Sequence, residues 1–179
     1  MHDGLTLYTL PGVFSRDALD TGTAMLLATL DAAACTDKRV LDVGCGCGVI
    51  GLHTAQQGAA QVTLSDVSLL ALECARASVS ASAYGEKCRV VASDLYGALP
   101  PNETYDLILA NPPFHAGHSV DTQAAQALIA GAREKLAAGG ALRLVANRFL
   151  AYDAILREVF PRVRVVREDT RYRVLEGRG

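Results

Sequence analysis

Apolar positions in this chain fall into short runs separated by stretches of helical period. Residues 40–44, 61–66, 88–93, 105–110 and 141–146 are mostly apolar, and each predicts a buried strand. A helix capped by Thr21 or Thr23 carries Met25, Leu26, Leu27 and Leu30 on its buried face and runs to about residue 33. Residues 49–57 predict a helix ended by Gly58, and a Ser68-capped helix extends to about residue 83. An alanine-rich helix spans 121–138 up to Gly139-Gly140, and another spans 149–160 with Pro161 as its stop. Residues 4–10 alternate weakly and predict a further short strand, turned by Pro11-Gly12 ahead of a loop at Val13-Phe14-Ser15. Residues 162–167 and 170–175 pair as an antiparallel hairpin across Glu168-Asp169. Strands alternating with helices predict an α/β fold: a doubly wound, seven-stranded, mostly parallel sheet with helices on both faces and a reversed strand at the edge. No linker or shift in composition divides the chain. The expectation is one domain over 1–179, with a segment 1–36 on the ligand side of a core at 37–179.

Composition narrows the class. Half of the 179 residues are hydrophobic and a fifth are charged, enough for a full core. No apolar run reaches the roughly 18 residues of a membrane span, and residues 1–4 do not resemble a signal peptide. The expectation is a soluble cytoplasmic protein with no membrane partner. Five cysteines at 35, 45, 47, 74 and 88 include no C-x-x-C pair, so reduced thiols are expected. Cys45-x-Cys47 has the wrong spacing for zinc and reads better as small residues filling a tight loop. His115 and His118 have no third ligand nearby, and no metal is expected. The net charge of −2 hides an asymmetry: residues 141–179 carry nine arginines against five acids. That face either meets phosphates or is a solvated edge kept from aggregating by charge.

Chemistry concentrates where the fourth strand ends. Asp106-Leu-Ile-Leu-Ala-Asn111-Pro112-Pro113-Phe114 runs a buried strand into an amide, two prolines and a ring. The prolines fix φ twice and remove two donors, so the strand stops and a stiff platform begins. Asn111 can both donate and accept, and Phe114 offers a flat apolar face. In open α/β sheets ligands bind outside the carboxyl ends of strands, where this platform sits. The glycine-rich turn at Gly44, Gly46 and Gly48 lets backbone approach a ligand; Gly46-Cys-Gly-Val-Ile-Gly51 even matches a dinucleotide fingerprint. However, the glycines continue in alternation from Asp42-Val-Gly44, and Asn-Pro-Pro-Phe has no part in hydride transfer.

Asp42-Val-Gly-Cys-Gly-Cys-Gly resembles the first motif of Rossmann-like, class I S-adenosylmethionine (SAM) methyltransferases. Asn111-Pro-Pro-Phe resembles the signature of those that methylate a planar amino nitrogen. Leu10-Pro-Gly-Val-Phe-Ser-Arg-Asp-Ala-Leu-Asp-Thr-Gly, Asn111-Pro-Pro-Phe-His-Ala-Gly and Leu142-Arg-Leu-Val-Ala-Asn147 extend the likeness. They resemble the catalytic domain of bacterial small-subunit (16S) ribosomal RNA guanine-N2 methyltransferases of the RsmC type. Full-length enzymes of that type carry an additional N-terminal domain of similar fold that lacks the cofactor motifs.

The resemblance implies SAM as cofactor, S-adenosylhomocysteine as product, and methyl transfer to the exocyclic N2 of a guanine in ribosomal RNA. That RNA is expected within the small subunit, with the protein acting as a monomer. Cofactor contacts are implied for Asp42, Gly44, Cys45, Gly46, Gly48, Asp66, Val67, Asp94, Leu95 and Asn111. Asp42 would face the amino end of the methionine part, or else cap the loop. Asp66 would accept the ribose hydroxyls, or else cap the next helix. Asp94 would face the adenine amino group, or else be a turn aspartate, with Leu95 packing on the ring. Catalysis is implied for Asn111, Pro112 and Phe114: the Asn111 side-chain oxygen and the Pro112 carbonyl accept the amine N–H groups, and Phe114 stacks on the base. A structural turn with a core phenylalanine is the plainer alternative. Substrate contacts are implied for Phe14, Ser15, Pro113, His115 and Arg148, though Phe14 reads equally well as core. A same-fold enzyme acting on adenine N6 or protein glutamine, a non-catalytic SAM- or RNA-binding module, and a nicotinamide oxidoreductase are the rival readings.

Overall fold

The computed structural model describes residues 4–13, 19–112 and 119–179. The apolar runs become β1 (Arg39–Val43), β2 (Gln61–Asp66), β3 (Cys88–Ala92), β4 (Tyr105–Ala110), β5 (Leu136–Asn147), β6 (Arg162–Glu168) and β7 (Tyr172–Arg178). They form one seven-stranded sheet in the order β3-β2-β1-β4-β5-β7-β6. The pairs β1–β2, β1–β4, β2–β3 and β4–β5 are parallel, and β7 runs antiparallel to both β5 and β6. This is the doubly wound, mostly parallel sheet with an antiparallel C-terminal hairpin that the sequence predicts.

The helices are α1 (Thr21–Leu27), α2 (Ala32–Cys35), α3 (Val49–Gln56), α4 (Leu69–Ser80), α5 (Ser119–Lys135) and α6 (Tyr152–Val159). One apolar cluster gathers side chains of α1, α3 and α4 on one face of the sheet, with Leu26, Leu30 and Leu64 fully enclosed. A second gathers α5 and α6 on the other face, around Ile108, Ile129 and Leu142. Each such side chain contributes about 1.5–3 kcal/mol on leaving water.

Several sequence expectations need correction. Residues 4–10 form no strand element; Leu5 makes an isolated bridge, and the Tyr8 N–H donates to Ser78 Oγ at 2.9 Å. The cap of α1 is Asp20, whose side chain accepts from the Thr23 N–H, not Thr21 or Thr23 itself. That helix stops at Leu27, because Asp31 caps a new one at Ala32. The long helix ends at Lys135 rather than near 138, since Leu136 already pairs with Tyr105 on β4. Residues 149–151 precede α6, because Leu150 closes a turn onto the Asn147 carbonyl at 3.0 Å. The reversed strand is not at the edge: β7 lies between β5 and β6.

That last placement has an electrostatic cause. Glu176 on β7 is 1% exposed, opposite Arg143 on β5 and Arg164 on β6. Its carboxylate accepts from Arg143 Nη2 at 2.6 Å and from Arg164 Nε and Arg178 Nε at 2.8 Å each. Burial alone would raise its pKa, but the Arg178, Arg143 and Arg164 guanidiniums outweigh burial and hold it at about 2. Three of the nine C-terminal arginines are thus committed to one interior carboxylate. On β6, Arg162, Arg164 and Arg167 are exposed at the sheet edge, where charge discourages pairing with another chain.

Candidate active site

The chain winds outward from β1 to β3 on one side, then begins again at β4 and winds the other way. The order reverses between β1 and β4, where an open sheet leaves a crevice. Register fixes what stands there. Val43 is level with Ala110 on β4 and Ser65 on β2, and Asp66 is level with Ala92 on β3. The next residues out are therefore Asn111 after β4, the glycine loop after β1, Asp66 closing β2, and Ser93-Asp94 after β3. Four adjacent strands at the usual spacing spread this row over roughly 14 Å.

Two of the glycines form an open cradle. Gly44 and Gly46 have φ of 72° and 55°, and a Cβ on either would meet nothing within 4 Å. Space is free beside backbone that only glycine adopts cheaply. The Gly44 and Cys45 N–H groups both donate to the Ser65 carbonyl, at 2.8 and 2.9 Å, which ties the loop to β2. Gly48 is also required by packing: a Cβ there would lie 2.9 Å from Leu64 Cδ2. The same holds for Gly51 at 2.8 Å, so the last fingerprint glycine seats α3 on β2.

The acids differ in exposure. Asp42 is fully buried, and its Oδ2 accepts the Gly51 N–H at 2.9 Å. The capping role weighed for it is therefore real: it caps α3 from inside the sheet, because Gly48 at the N-cap has no side chain. Its Oδ1 is buried with no hydrogen-bond partner among the described residues. Burial pushes its pKa up to about 7; the Gly51 N–H offsets part of that, and the Asp66 charge adds to it. Asp66 accepts from the Gly46 N–H and the Ser68 N–H, both at 2.9 Å, while Ser68 itself caps α4. Asp66 thus holds the cradle against β2. Val67 beside it is 72% exposed. Asp94 is exposed, and Leu95 sits at φ 46° in the left-handed region that costs a branched side chain about 1–2 kcal/mol. Ser93 Oγ sustains this turn by donating to the Leu95 carbonyl and accepting from the Ala98 N–H.

Asn111 is held from a distance. Its Nδ2 donates to Thr23 Oγ1 at 2.7 Å and to Asp20 Oδ2 at 3.3 Å, both at the start of α1. A carboxylate only accepts, so Asp20 fixes which end of the carboxamide carries the N–H groups. The other end, Oδ1, is left buried without a hydrogen-bond partner among the described residues. A buried, unsatisfied acceptor is costly, and it stands at the switch point beside an open glycine cradle. Asp20 and Thr23 were not foreseen as site residues. Their signals were a helix-start pattern and, for Asp20, a place in the phrase Leu10 to Gly22, and neither reveals a partner 91 residues along the chain. Pro112 is half-buried, and Arg148 lies exposed just past β5, with Nη1 donating to the Asp169 carbonyl at 3.0 Å. Phe14, Ser15, Pro113, Phe114 and His115 lie outside the described residues.

Cys45 and Cys47 are buried in the loop, and burial pushes both thiols up, away from the thiolate a metal requires. Among the described residues no cluster of three or more His, Cys, Asp or Glu is arranged to hold a metal ion, and no helix is long and apolar enough to cross a membrane. A surface cavity of about 490 Å³ lies away from the row, between β6 and β7 and lined by Pro161, Arg162, Val163, Arg164, Glu176 and Arg178. Register puts it at the opposite end of the sheet from Asn111, so the crevice and not this cavity is the candidate site.

A family model, the methyltransferase small domain, matches residues 4–176. The chain belongs to that family. Members with curated names include the ribosomal RNA small subunit methyltransferase C of Salmonella choleraesuis (strain SC-B67), 46% identical over 173 residues. That match takes in 96% of this chain and 49% of the relative. The protein of the same name from Klebsiella pneumoniae is 45% identical with the same coverage. The chain therefore spans about half the length of the curated relatives it matches. Among solved structures, the Thermus thermophilus 16S rRNA N2 G1207 methyltransferase (RsmC), in complex with AdoMet and guanosine, superposes with a TM-score of 0.87 at 31% identity. It matches 97% of this chain and 47% of that one. A ribosomal protein L11 methylase from Lactobacillus delbrueckii subsp. bulgaricus, 17% identical with a TM-score of 0.70, shares the fold. Membership of this family displaces the nicotinamide reading of the glycine fingerprint.

Proposed function

We propose that this chain is a SAM-dependent N-methyltransferase domain whose acceptor is the exocyclic N2 of a guanine in small-subunit ribosomal RNA, and that residues 1–179 act as one domain. The observation that carries the reading is Asn111: its amide N–H groups are committed to Thr23 and Asp20, and its oxygen is buried with no hydrogen-bond partner among the described residues. The names of the curated relatives, and the guanosine and AdoMet held by the T. thermophilus enzyme, support the acceptor and the cofactor.

The cradle fits the cofactor. Gly44 and Gly46 leave room for it, Asp66 offers further lone pairs to ribose hydroxyls, and Val67 and Leu95 offer apolar surface for a purine. Asp42 Oδ1, without a hydrogen-bond partner among the described residues, is an acceptor suited to an ammonium group, directly or through water. When bound, SAM supplies an electrophilic methyl group on a sulfonium and leaves as S-adenosylhomocysteine.

The chain's own work is on the amine. A guanine N2 lone pair is delocalised into the ring and is a poor nucleophile. Asn111 Oδ1 and the Pro112 carbonyl accept its two N–H bonds, favour a more tetrahedral nitrogen and aim the lone pair at the methyl carbon. The N2–methyl bond forms as the sulfur–methyl bond breaks. The nitrogen then sheds a proton to water, so no strong base is needed. Phe114, two residues past Pro112, is assigned to stacking on the base, worth about 1–3 kcal/mol. The guanine must be unpaired or flipped to reach the site. The proposal includes a cytoplasmic protein that acts as a monomer on the small subunit, beside any further domain.

Protein-free ribosomal RNA, assembled small subunits and a glutamine peptide offered side by side test the acceptor. Label in guanine of either RNA preparation is expected. Transfer to glutamine or adenine alone would overturn the reading.

A further inference from the structure

One aromatic side chain lies at the substrate end of the sheet and has no place in the scheme above. Phe149 is 66% exposed. It occupies a corner of the turn that the Leu150 N–H closes on the Asn147 carbonyl, just beyond β5. Ala110 on β4 is level with Leu144 on β5, so this turn rises beside Asn111. It stands on the β5–β7 side of Asn111, and the glycine cradle stands on the other.

A lone exposed phenylalanine needs no explanation, but its setting here does. The Arg148 N–H donates to the Arg171 carbonyl at 2.9 Å, and Arg173 Nη2 donates to the Arg148 carbonyl at 2.8 Å. The Arg171 guanidinium lies 5.4 Å from the Tyr172 ring centroid. Acids nearby are already engaged. Asp169 Oδ1 accepts the Arg171 and Tyr172 N–H groups at 2.7 Å each. Asp153 pairs with Arg157 at 3.0 Å and Arg173 at 3.8 Å. Four guanidiniums, of Arg148, Arg157, Arg171 and Arg173, thus share this end of β5–β7 with three carboxylates, of Asp153, Asp169 and Glu168, the last in register with Arg173. An aromatic face amid net positive charge is the composition that holds single-stranded nucleic acid: bases stack on the ring while phosphates meet the arginines.

We propose that Phe149 is a stacking platform for a nucleobase flanking the target guanine in single-stranded RNA, with Arg148 and Arg171 on the adjoining phosphates. This rests on the RNA acceptor proposed above. The platform would bind the strand beside the methylated position and fix how the guanine enters.

The test is equilibrium binding of a short fluorescein-labelled single-stranded RNA containing one guanine, read by anisotropy over a range of salt. Phe149→Ala is expected to weaken binding about tenfold with an unchanged salt slope, and Phe149→Trp to retain it. A double Arg148→Gln, Arg171→Gln variant should lower the slope of log affinity against log salt by about 1.4, two phosphates' worth. Thermal melting of the variants should match wild type, because the ring is exposed. Phe149→Ala binding within twofold of wild type, or a wild-type chain that binds no RNA, would overturn the platform. Methyl transfer to small subunits is measured in parallel. Phe149-dependent RNA binding without transfer to guanine would leave the platform standing and sink the proposed reaction. Full transfer by Phe149→Ala at limiting RNA would do the reverse.

Discussion

Thr23→Val isolates the orientation of Asn111 from everything else at the site. Valine keeps the shape of the buried threonine, 2% exposed, and removes its hydroxyl, so the change falls on hydrogen bonding. The cap of α1 survives, because Asp20 Oδ2 accepts the Thr23 backbone N–H at 2.9 Å whatever the side chain. What is lost is the acceptor for Asn111 Nδ2 at 2.7 Å, leaving that amide with the 3.3 Å contact to Asp20, and with it the long 3.5 Å hydrogen bond that Thr23 Oγ1 donates to Asp20 Oδ2. A buried donor without its partner costs about 1–3 kcal/mol. The carboxamide can recover part of that by rotating, which takes Oδ1 away from the amine. At about 1.4 kcal/mol per decade, kcat for methyl transfer should fall roughly tenfold to a hundredfold. SAM affinity by calorimetry should stay within twofold, since the cradle is untouched, and Thr23→Ser should keep most of the activity. A Thr23→Val enzyme with wild-type kcat would refute the claim that α1 sets the Asn111 geometry.

Other changes probe the acids and the cradle. Asp42 titrates at about 7 in the folded chain against 3.8 ordinarily, so its contribution to stability is full below pH 3.8 and is lost as the pH rises to about 7. Between pH 5 and pH 8 wild type should therefore lose roughly 2–3 kcal/mol that Asp42→Asn does not, seen as a Tm gap that shifts by about 5–10 °C; parallel pH profiles would count against it. Glu176→Gln leaves Arg143, whose side chain is 6% exposed, without its buried counter-charge. A loss of about 3–5 kcal/mol, or on the order of 10 °C in Tm, is expected, and a change under 1 kcal/mol by urea titration would contradict the account. Gly44→Ala has room for its Cβ, so only the left-handed backbone should cost stability, about 1–2 kcal/mol. Its SAM affinity should fall more than tenfold; equal small losses in both would remove Gly44 from the cradle.

Much of this architecture was legible because apolar runs bounded by glycine, proline and acids mark buried parallel strands well. Residues 61–66 and 105–110 became β2 and β4 with those bounds. The strand ends then followed, and with them Asp66 and Asn111. The order of the terminal hairpin was not legible. Both of its strands carry several charges, and it takes the pairing of Glu176 with Arg143, 33 residues back, together with the burial of Tyr172, Val174 and Leu175, to show β7 as the interior one. The α1–α2 boundary was lost for a local reason: alanine carries no period, so 28–34 reads as continuous helix until Asp31 is seen capping. Within the site, a side chain that acts on a near neighbour in the chain was visible: Asp66 accepts the Ser68 N–H two residues on, at the start of the next helix. Asp20 and Thr23 act across the fold. A helix cap and a carboxamide clamp look the same in sequence, and only the tertiary contact separates them.

The central claim is that Asn111 presents an amine to a methyl donor. Tritiated methyl transfer from SAM to unmodified small ribosomal subunits, run with wild type and Asn111→Ala and followed by nuclease digestion, tests it most directly. Label in N2-methylguanosine that falls at least a hundredfold in the variant, with SAM binding retained, is the predicted result. Label in another nucleoside, or N2-methylguanosine undiminished by Asn111→Ala, would contradict it.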